Sequence, residues 1–262
     1  MNNKFIFLCP GAYTIRKRMV SKNKRLGLFC YHIVPVAFLY MLSHVYSICS
    51  LVEFVMLVVA FYAQYEIGYI YNDTETIKKE KNPSKRLDSI EMYFYNKNKC
   101  QIYIVHFLTF ICVLSGLSWM SDEREFLLFS AISMIVELVI FYVYNNVRGR
   151  ISLLVFFFLE LFKYIPFLNL FDTESAMQIL IVTAMIYAIP NTIERLSFKR
   201  YGILFMQRLL PSEKSYLKFR IAFYLVVCLC MVMFKQFLIY IPLFLFLLVF
   251  RGMAFLKAKR EK

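Results

Sequence analysis

Apolar residues in this sequence fall in long blocks rather than at the spacing of an amphipathic helix or strand. A helix needs about 20 mostly apolar residues to cross roughly 30 Å of hydrocarbon. Eight segments meet or approach that length, at residues 31–48, 51–71, 101–119, 126–144, 151–169, 177–190, 217–234 and 237–250. The sixth and eighth are short and carry Pro190 and Pro242, which permits a broken or tilted helix. No internal repeat, low-complexity tract or long linker interrupts the series. The expected fold is all-α, a polytopic membrane protein of about eight transmembrane helices. It forms one domain over 1–262, with 1–30 as a cytoplasmic N-terminal segment and 251–262 as a cytoplasmic tail.

The polar blocks set the orientation, because loops rich in Lys and Arg stay in the cytoplasm. The N-terminal segment, the 72–99 loop, the 145–150 turn, the 191–220 loop and the tail hold 28 of the 31 basic residues. Eight spans put all five on one side. The opposite turns keep Arg124 and Lys235 beside the acidic stretches "SDERE" and "FDTES". A multi-pass protein of the cell membrane with both termini in the cytoplasm is expected. The basic lead "GAYTIRKRMVSKNKR" contains no cleavable apolar core, so the first span is expected to act as an uncleaved signal.

Composition sharpens this reading. With 60% hydrophobic residues, 28 Phe and 19 Tyr, the chain has more apolar surface than one soluble core hides. The net charge of +14 reflects the loop bias and suits anionic membrane lipids rather than nucleic acid. Seven cysteines stand singly, which suggests neither a disulfide framework nor a zinc site. No G-x-S-x-G, H-E-x-x-H, Walker A or G-x-G-x-x-G occurs, which argues against serine hydrolases, zinc proteases and nucleotide-binding domains.

The densest chemistry, "YEIGYIYNDTETIKKEKNPSKRLDSIE" at 65–91, begins at the end of the second span. If the helix continues beyond the membrane surface, Glu66, Asp73 and Glu80 recur every seven residues and share a face, with Asn72, Thr76 and Lys79 nearby. Carboxylates on one stripe repel unless a cation sits among them, and Mg²⁺ is held beside phosphates through one or two carboxylates. The plain alternative is a solvated, charged loop. Glu66 weighs against it, since ionisable groups within a span are costly and usually functional. Glu160 and Lys163, three apart in the fifth span, are expected to neutralise each other, while Glu137 either lines a cavity or pairs with Lys163. His32, His44 and His106 are expected to be hydrogen-bonded packing residues.

The stretch "YNDTETIKKEKNPSKRL" resembles the first aspartate-rich motif of the UbiA superfamily of intramembrane prenyltransferases, N-D-x-x-D-x-x-x-D. Asn72 and Asp73 match, Thr76 stands at the third ligand with Glu75 one step off, and Glu80 replaces the last aspartate. "NPSKR" is similar to the H-P-x-K-R stretch of the polyprenyl-phosphate (decaprenyl-phosphate) phosphoribosyltransferase branch: Pro83, Lys85 and Arg86 match and Asn82 replaces the histidine. The second polar loop carries Arg200, Tyr201, Leu204, Pro211 and Glu213, which resemble that branch's R-Y-x-x-L-x-D and P-E. Its aspartate, expected near Met206 or Gln207, is missing. Asn191 and Glu194 are the nearest substitutes, because three residues apart they share a helical face.

The resemblance implies a helical bundle with a cytoplasm-facing polar cavity open sideways to lipid. It implies a Mg²⁺-dependent transferase acting on a polyprenyl lipid and a phosphorylated donor, with phosphoribosyl transfer to polyprenyl phosphate ranked ahead of prenyl transfer from an allylic diphosphate to an aromatic or other acceptor. Asp73 and Glu80 are the expected catalytic residues. Both, with Asn72, Asn191 and Glu194, are the expected metal ligands. Asn72, Lys79, Lys85, Arg86, Lys199, Arg200 and Tyr201 are the expected substrate-binding residues. The degenerate motifs also leave open a non-catalytic scaffold that binds lipid phosphates in an envelope or glycan assembly complex. A small transporter ranks lower because no internal repeat is present. A homo-oligomer is left open.

Overall fold

A backbone surrounded by hydrocarbon must satisfy its N–H and C=O groups within its own segment, and the apolar blocks accordingly become helices. The computed structural model describes residues 5–44, 47–79, 85–147, 149–171 and 173–260; among them there is no strand. In chain order the membrane helices are α1 (Lys22–Ser43), α2 (Ile48–Thr74), α3 (Ser89–Met120), α4 (Arg124–Asn146), α5 (Ile151–Phe162), α6 (Ser175–Leu196), α7 (Glu213–Val232) and α8 (Lys235–Lys259). All except α5 lie in segments long and apolar enough to cross a membrane. The chain is an all-α, multi-pass membrane protein. Large apolar side chains such as Val55, Phe107, Ile135, Leu229 and Val249 face outward, as lipid contact requires.

Two helices start well before their apolar blocks. Ser21 caps α1 by accepting the Lys24 N–H at 3.2 Å, so the helix begins inside the basic lead. Asp88 and Glu91 form a reciprocal capping box at the start of α3, a D-x-x-E pattern that satisfies two orphan donors of the first turn.

The fifth block departs most from expectation. α5 has 12 residues, about 18 Å at 1.5 Å per residue, and stops well short of a full crossing. Pro166 sits in the following 3₁₀ turn, Ile165–Phe167. The chain then continues without helix until the Phe171 ring lies 5.8 Å from Phe129 near the start of α4. The end of α5, with Glu160 and Lys163, is thereby placed within the bundle.

Proline perturbs α6, which runs on through it, with a larger consequence. Pro190 has no N–H for the carbonyl of Ile186, and a π turn, Ala184–Ala188, precedes it. The freed carbonyl accepts hydroxyls from Tyr31 of α1 at 2.8 Å and Tyr224 of α7 at 3.1 Å. A backbone defect of α6 thus becomes the tie among three helices.

The basic segments meet at one end of the bundle. Lys257 of α8 donates to Asn23 of α1 at 2.9 Å, Arg86 of the loop before α3 reaches Asp73 of α2 at 2.7 Å, and Arg200 reaches Tyr144 of α4 at 3.1 Å. At the other end, His44 Nε2 lies 3.2 Å from Glu123. Between the ends, α2 and α4 approach closely at Gly68, where an added Cβ would come within 2.3 Å of the Phe141 ring.

Two outcomes follow. Gly68→Ala should lower stability by about 1–3 kcal/mol through overpacking, read as a reduced thermal midpoint in detergent, and Phe141→Leu in the same chain should restore part of it. Single cysteines at Asn96 and Asp122 in a cysteine-free background should show opposite accessibility in sealed cells; equal labelling would contradict the two-ended arrangement.

Candidate functional site

The residues before α1 do not trail free of the bundle. They form a strap, residues 5–19, whose Phe7 and Tyr13 are buried with Ile70, Tyr95 and Ile102. Gly11 takes a positive φ of 84°, a conformation open to glycine at little cost, and this turn aims backbone donors at Glu66. The Glu66 carboxylate accepts the Gly11 N–H at 3.0 Å and the Thr14 N–H at 2.6 Å. Lys17 bonds Glu91 at 2.7 Å, and the ring nitrogens of His106 contact the carbonyls of Phe7 at 2.9 Å and Ala63 at 2.8 Å. Glu66 is functional in a structural sense: it anchors the strap.

One helical turn pair further along α2, Asp73 is wholly buried. Its Oδ1 accepts Arg18 Nη2 of the strap at 2.7 Å, Arg86 Nη1 at 2.7 Å and Asn72 Nδ2 at 3.1 Å. Its Oδ2 accepts the Tyr13 hydroxyl at 2.9 Å. Burial, and after it the charge of Asp73, raise the Tyr13 hydroxyl above its ordinary 10, so it stays a donor at physiological pH. Arg18 also lies 4.2 Å above the Tyr69 ring.

These arginines line a cavity of about 340 Å³. Its wall carries five cationic side chains from separate elements: Arg18, Arg86, Lys163 just after α5, Arg195 of α6 and Arg200 of the following turn. Glu160 is the one carboxylate of that wall among the described residues. Arg195 packs 3.6 Å over Phe156 and bonds the Tyr144 hydroxyl, which also accepts Arg200. Lys163 lies 5.2 Å from the Tyr65 ring centre. Asp73 stands behind this wall and holds two of its arginines in place.

A second cavity of about 280 Å³ adjoins the first and shares Glu160, Lys163 and Arg195 with it; Asn191 and Glu194 belong to its wall. Both of these residues are held by Arg220 of α7. Arg220 bonds both Glu194 oxygens, the Asn191 carbonyl oxygen and the hydroxyls of Tyr31 and Tyr224. Asn191 in turn donates to Glu160. Tyr31 and Tyr224 are the hydroxyls that occupy the Ile186 carbonyl, so the defect at Pro190 positions the arginine.

The two polar loops of the sequence therefore converge, with differences in detail. Asn72, Arg86 and Arg200 line the main cavity, and Tyr201 borders a neighbouring one of about 220 Å³ with Arg200 and Ser152. Lys79, Lys85 and Lys199 are exposed and do not form the cavity wall. Glu80, with Asn82 and Pro83, lies outside the described residues. α2 ends at Thr74 and a 3₁₀ turn, Thr76–Lys79, follows, so one continuous helical stripe does not carry the carboxylates onward. Glu160 and Lys163 face the cavity rather than serving only to neutralise each other. Glu137 is buried, does not line the cavity and accepts from Gln64 at 3.0 Å. His32 stacks with Tyr164 and Tyr187 and His44 with Tyr40. Sequence reading missed Arg18, Arg195 and Lys163 as site residues because they carry no motif, although a lysine inside an apolar block was a signal for the last.

Apart from Glu80, which lies outside the described residues, the oxygens proposed for Mg²⁺ are turned to other partners. Three donors already crowd Asp73 Oδ1, an oxygen with two lone pairs, and the Tyr13 hydroxyl meets Oδ2. Glu194 and the Asn191 carbonyl face Arg220. Among the described residues no three His, Cys, Asp or Glu side chains gather as a metal site. What the arrangement offers is a set of fixed cations for a multiply charged anion, with guanidinium forks suited to phosphate oxygens. Comparison with family models, curated proteins and solved structures finds no match.

Glu66→Gln should loosen the strap, because the amide NH₂ would face one of two buried backbone donors, a loss of about 1–3 kcal/mol. Limited trypsin digestion should then cut after Arg16, Lys17 or Arg18 roughly tenfold faster, whereas an unchanged rate would show that the carboxylate does not anchor it.

Proposed function

We propose that the chain is a membrane transferase acting on a polyprenyl lipid, moving 5-phosphoribosyl from phosphoribosyl diphosphate to polyprenyl phosphate with release of diphosphate. The observation that carries this reading is the convergence of Arg18, Arg86, Lys163, Arg195 and Arg200 on one cavity inside a membrane bundle. Five fixed cations in a chain where charge is costly call for an anion of high charge. Both substrates supply one, and the apolar exterior suits the lipid. The basic bias of the loops supports a cavity that opens to the cytoplasm, where a soluble sugar donor is found.

The bond changes are simple. A phosphate oxygen of the lipid attacks the anomeric carbon, the bond from that carbon to the diphosphate oxygen breaks, and diphosphate leaves with the electron pair. The lipid phosphate is already ionised, so the attack needs no proton abstraction. Cations already in place stabilise charge as it grows on the leaving group. Asp73 and Glu194 are engaged by arginines, and the attack as written needs no Mg²⁺.

A second reading rests on that same engagement. With Asp73 engaged by Arg18, Arg86, Asn72 and Tyr13, the cavity also suits a protein that binds lipid phosphates without transferring a group. Purified protein given phosphoribosyl diphosphate and polyprenyl phosphate in detergent should release diphosphate, and Arg200→Ala should lower kcat/KM by about 2–4 kcal/mol. Turnover only with an allylic diphosphate and an aromatic acceptor would replace the reaction with prenyl transfer; binding of polyprenyl phosphate without any turnover would favour the second reading.

A further inference from the structure

We infer that Arg18 and Arg86, paired on Asp73, form a metal-free clamp for a phosphate or diphosphate group, and that the N-terminal strap supplies half of it. This rests on the reading that the cavity takes a phosphorylated ligand, and it states how that ligand is held.

The two guanidinium groups share a single carboxylate oxygen, each at 2.7 Å. One negative charge cannot neutralise two positive ones, and the excess faces the cavity, since both arginines line it and Asp73 does not. The carboxylate therefore acts as a post that holds two like charges close together. Each guanidinium carries five N–H donors. Arg18 uses Nη2 on Asp73 and, at 3.4 Å, on the Tyr69 carbonyl, while its buried Nε has no partner. Stacking over Tyr69 fixes the plane of the group. Two planar forks in fixed positions, with spare donors and surplus charge, match an anion with several oxygens.

Mg²⁺ and the clamp compete for Asp73 Oδ1. An ion on Oδ1 would have to displace Arg18 or Arg86, and one on Oδ2 would have to share that oxygen with the Tyr13 hydroxyl of the strap. With the arginines in place, they provide the positive charge that a divalent ion would bring. Because Arg18 comes from the strap and Arg86 from the loop before α3, the clamp is complete only when Gly11, Tyr13 and Thr14 are docked on Glu66 and Asp73.

The test is equilibrium binding to the purified full chain in detergent, with inorganic pyrophosphate and farnesyl phosphate as separate probes, each in Mg²⁺ and in EDTA. Binding should be the same in both buffers within about twofold. Arg18→Ala and Arg86→Ala should each weaken it by about tenfold or more, the scale of removing one partner of a close charge pair. Arg18→Lys should not restore it, because an ammonium lacks the fork. Arg124→Ala, at the opposite end of the bundle, should leave it unchanged. Arg86 lies outside the strap, so its variant reports on the clamp even if Arg18→Ala loosens the N-terminal fold, and thermal midpoints identify folded samples. Binding of pyrophosphate alone supports a clamp for the soluble donor's diphosphate, and binding of farnesyl phosphate alone supports one for the lipid headgroup. Loss of binding in EDTA, or unchanged binding in Arg86→Ala, overturns the clamp and leaves the proposed function standing. Failure of both probes to bind overturns both.

Discussion

A carboxylate taken out of water costs several kcal/mol even after the surroundings relax, and Asp73 is wholly buried at the end of a membrane helix. Burial of such a group calls for cations beside it. They come from residues 18 and 86, one on each side of α2 in the sequence. Meeting that demand folds the strap and the loop before α3 onto the same helix. Tyr13 completes the shell with a neutral donor. The charge that fastens the fold is thus also the one that equips the cavity wall.

The other half of the molecule meets the same constraint with the signs reversed. Arg220 is a buried cation, and Glu194 and Asn191 supply its acceptors while Tyr31 and Tyr224 surround it. Removing one member of such a buried pair typically costs about 3–5 kcal/mol. Both tyrosines also occupy the Ile186 carbonyl that Pro190 leaves free. A missing backbone N–H on α6 therefore fixes an arginine on α7, which fixes two residues at the edge of the cavity. The main cavity lies between these two charge networks, and its five cationic residues are drawn from the strap, the loop before α3 and the elements after α4.

Much of the helical scaffold was legible because hydrocarbon leaves so few choices. Long apolar blocks had to become helices, D-x-x-E at 88–91 marked a start, and the bias of basic loops foretold which segments share an end. The pairing of charges was less legible. Sequence reading looked for the partners of Asp73 among its neighbours, yet one cation arrived from 55 residues away, and the nearby Lys78 went to Glu75. Long side chains on converging elements find one another across distances that no spacing rule records. The strap was missed because Phe7 and Tyr13 are too few to read as an apolar block, although they bury fully. The shortening of α5 was hidden by the overall hydrophobicity of its block, although Lys163 and Pro166 stand where the helix stops.

That short helix also shapes the electric field inside the protein. A polar cavity that opens to solvent, as proposed, brings the potential of its bulk phase with it, and α5 ends at Phe162, about 18 Å along the helix axis, with Lys163 just beyond it. The voltage across a membrane around this protein then falls mainly over the remaining apolar layer built by Phe167, Leu168 and the far ends of the long helices. An anion travelling from solvent to Lys163 crosses little of that drop. A charged headgroup moving between solution and the cavity floor would consequently perform little electrical work, although it has entered the span of the bundle.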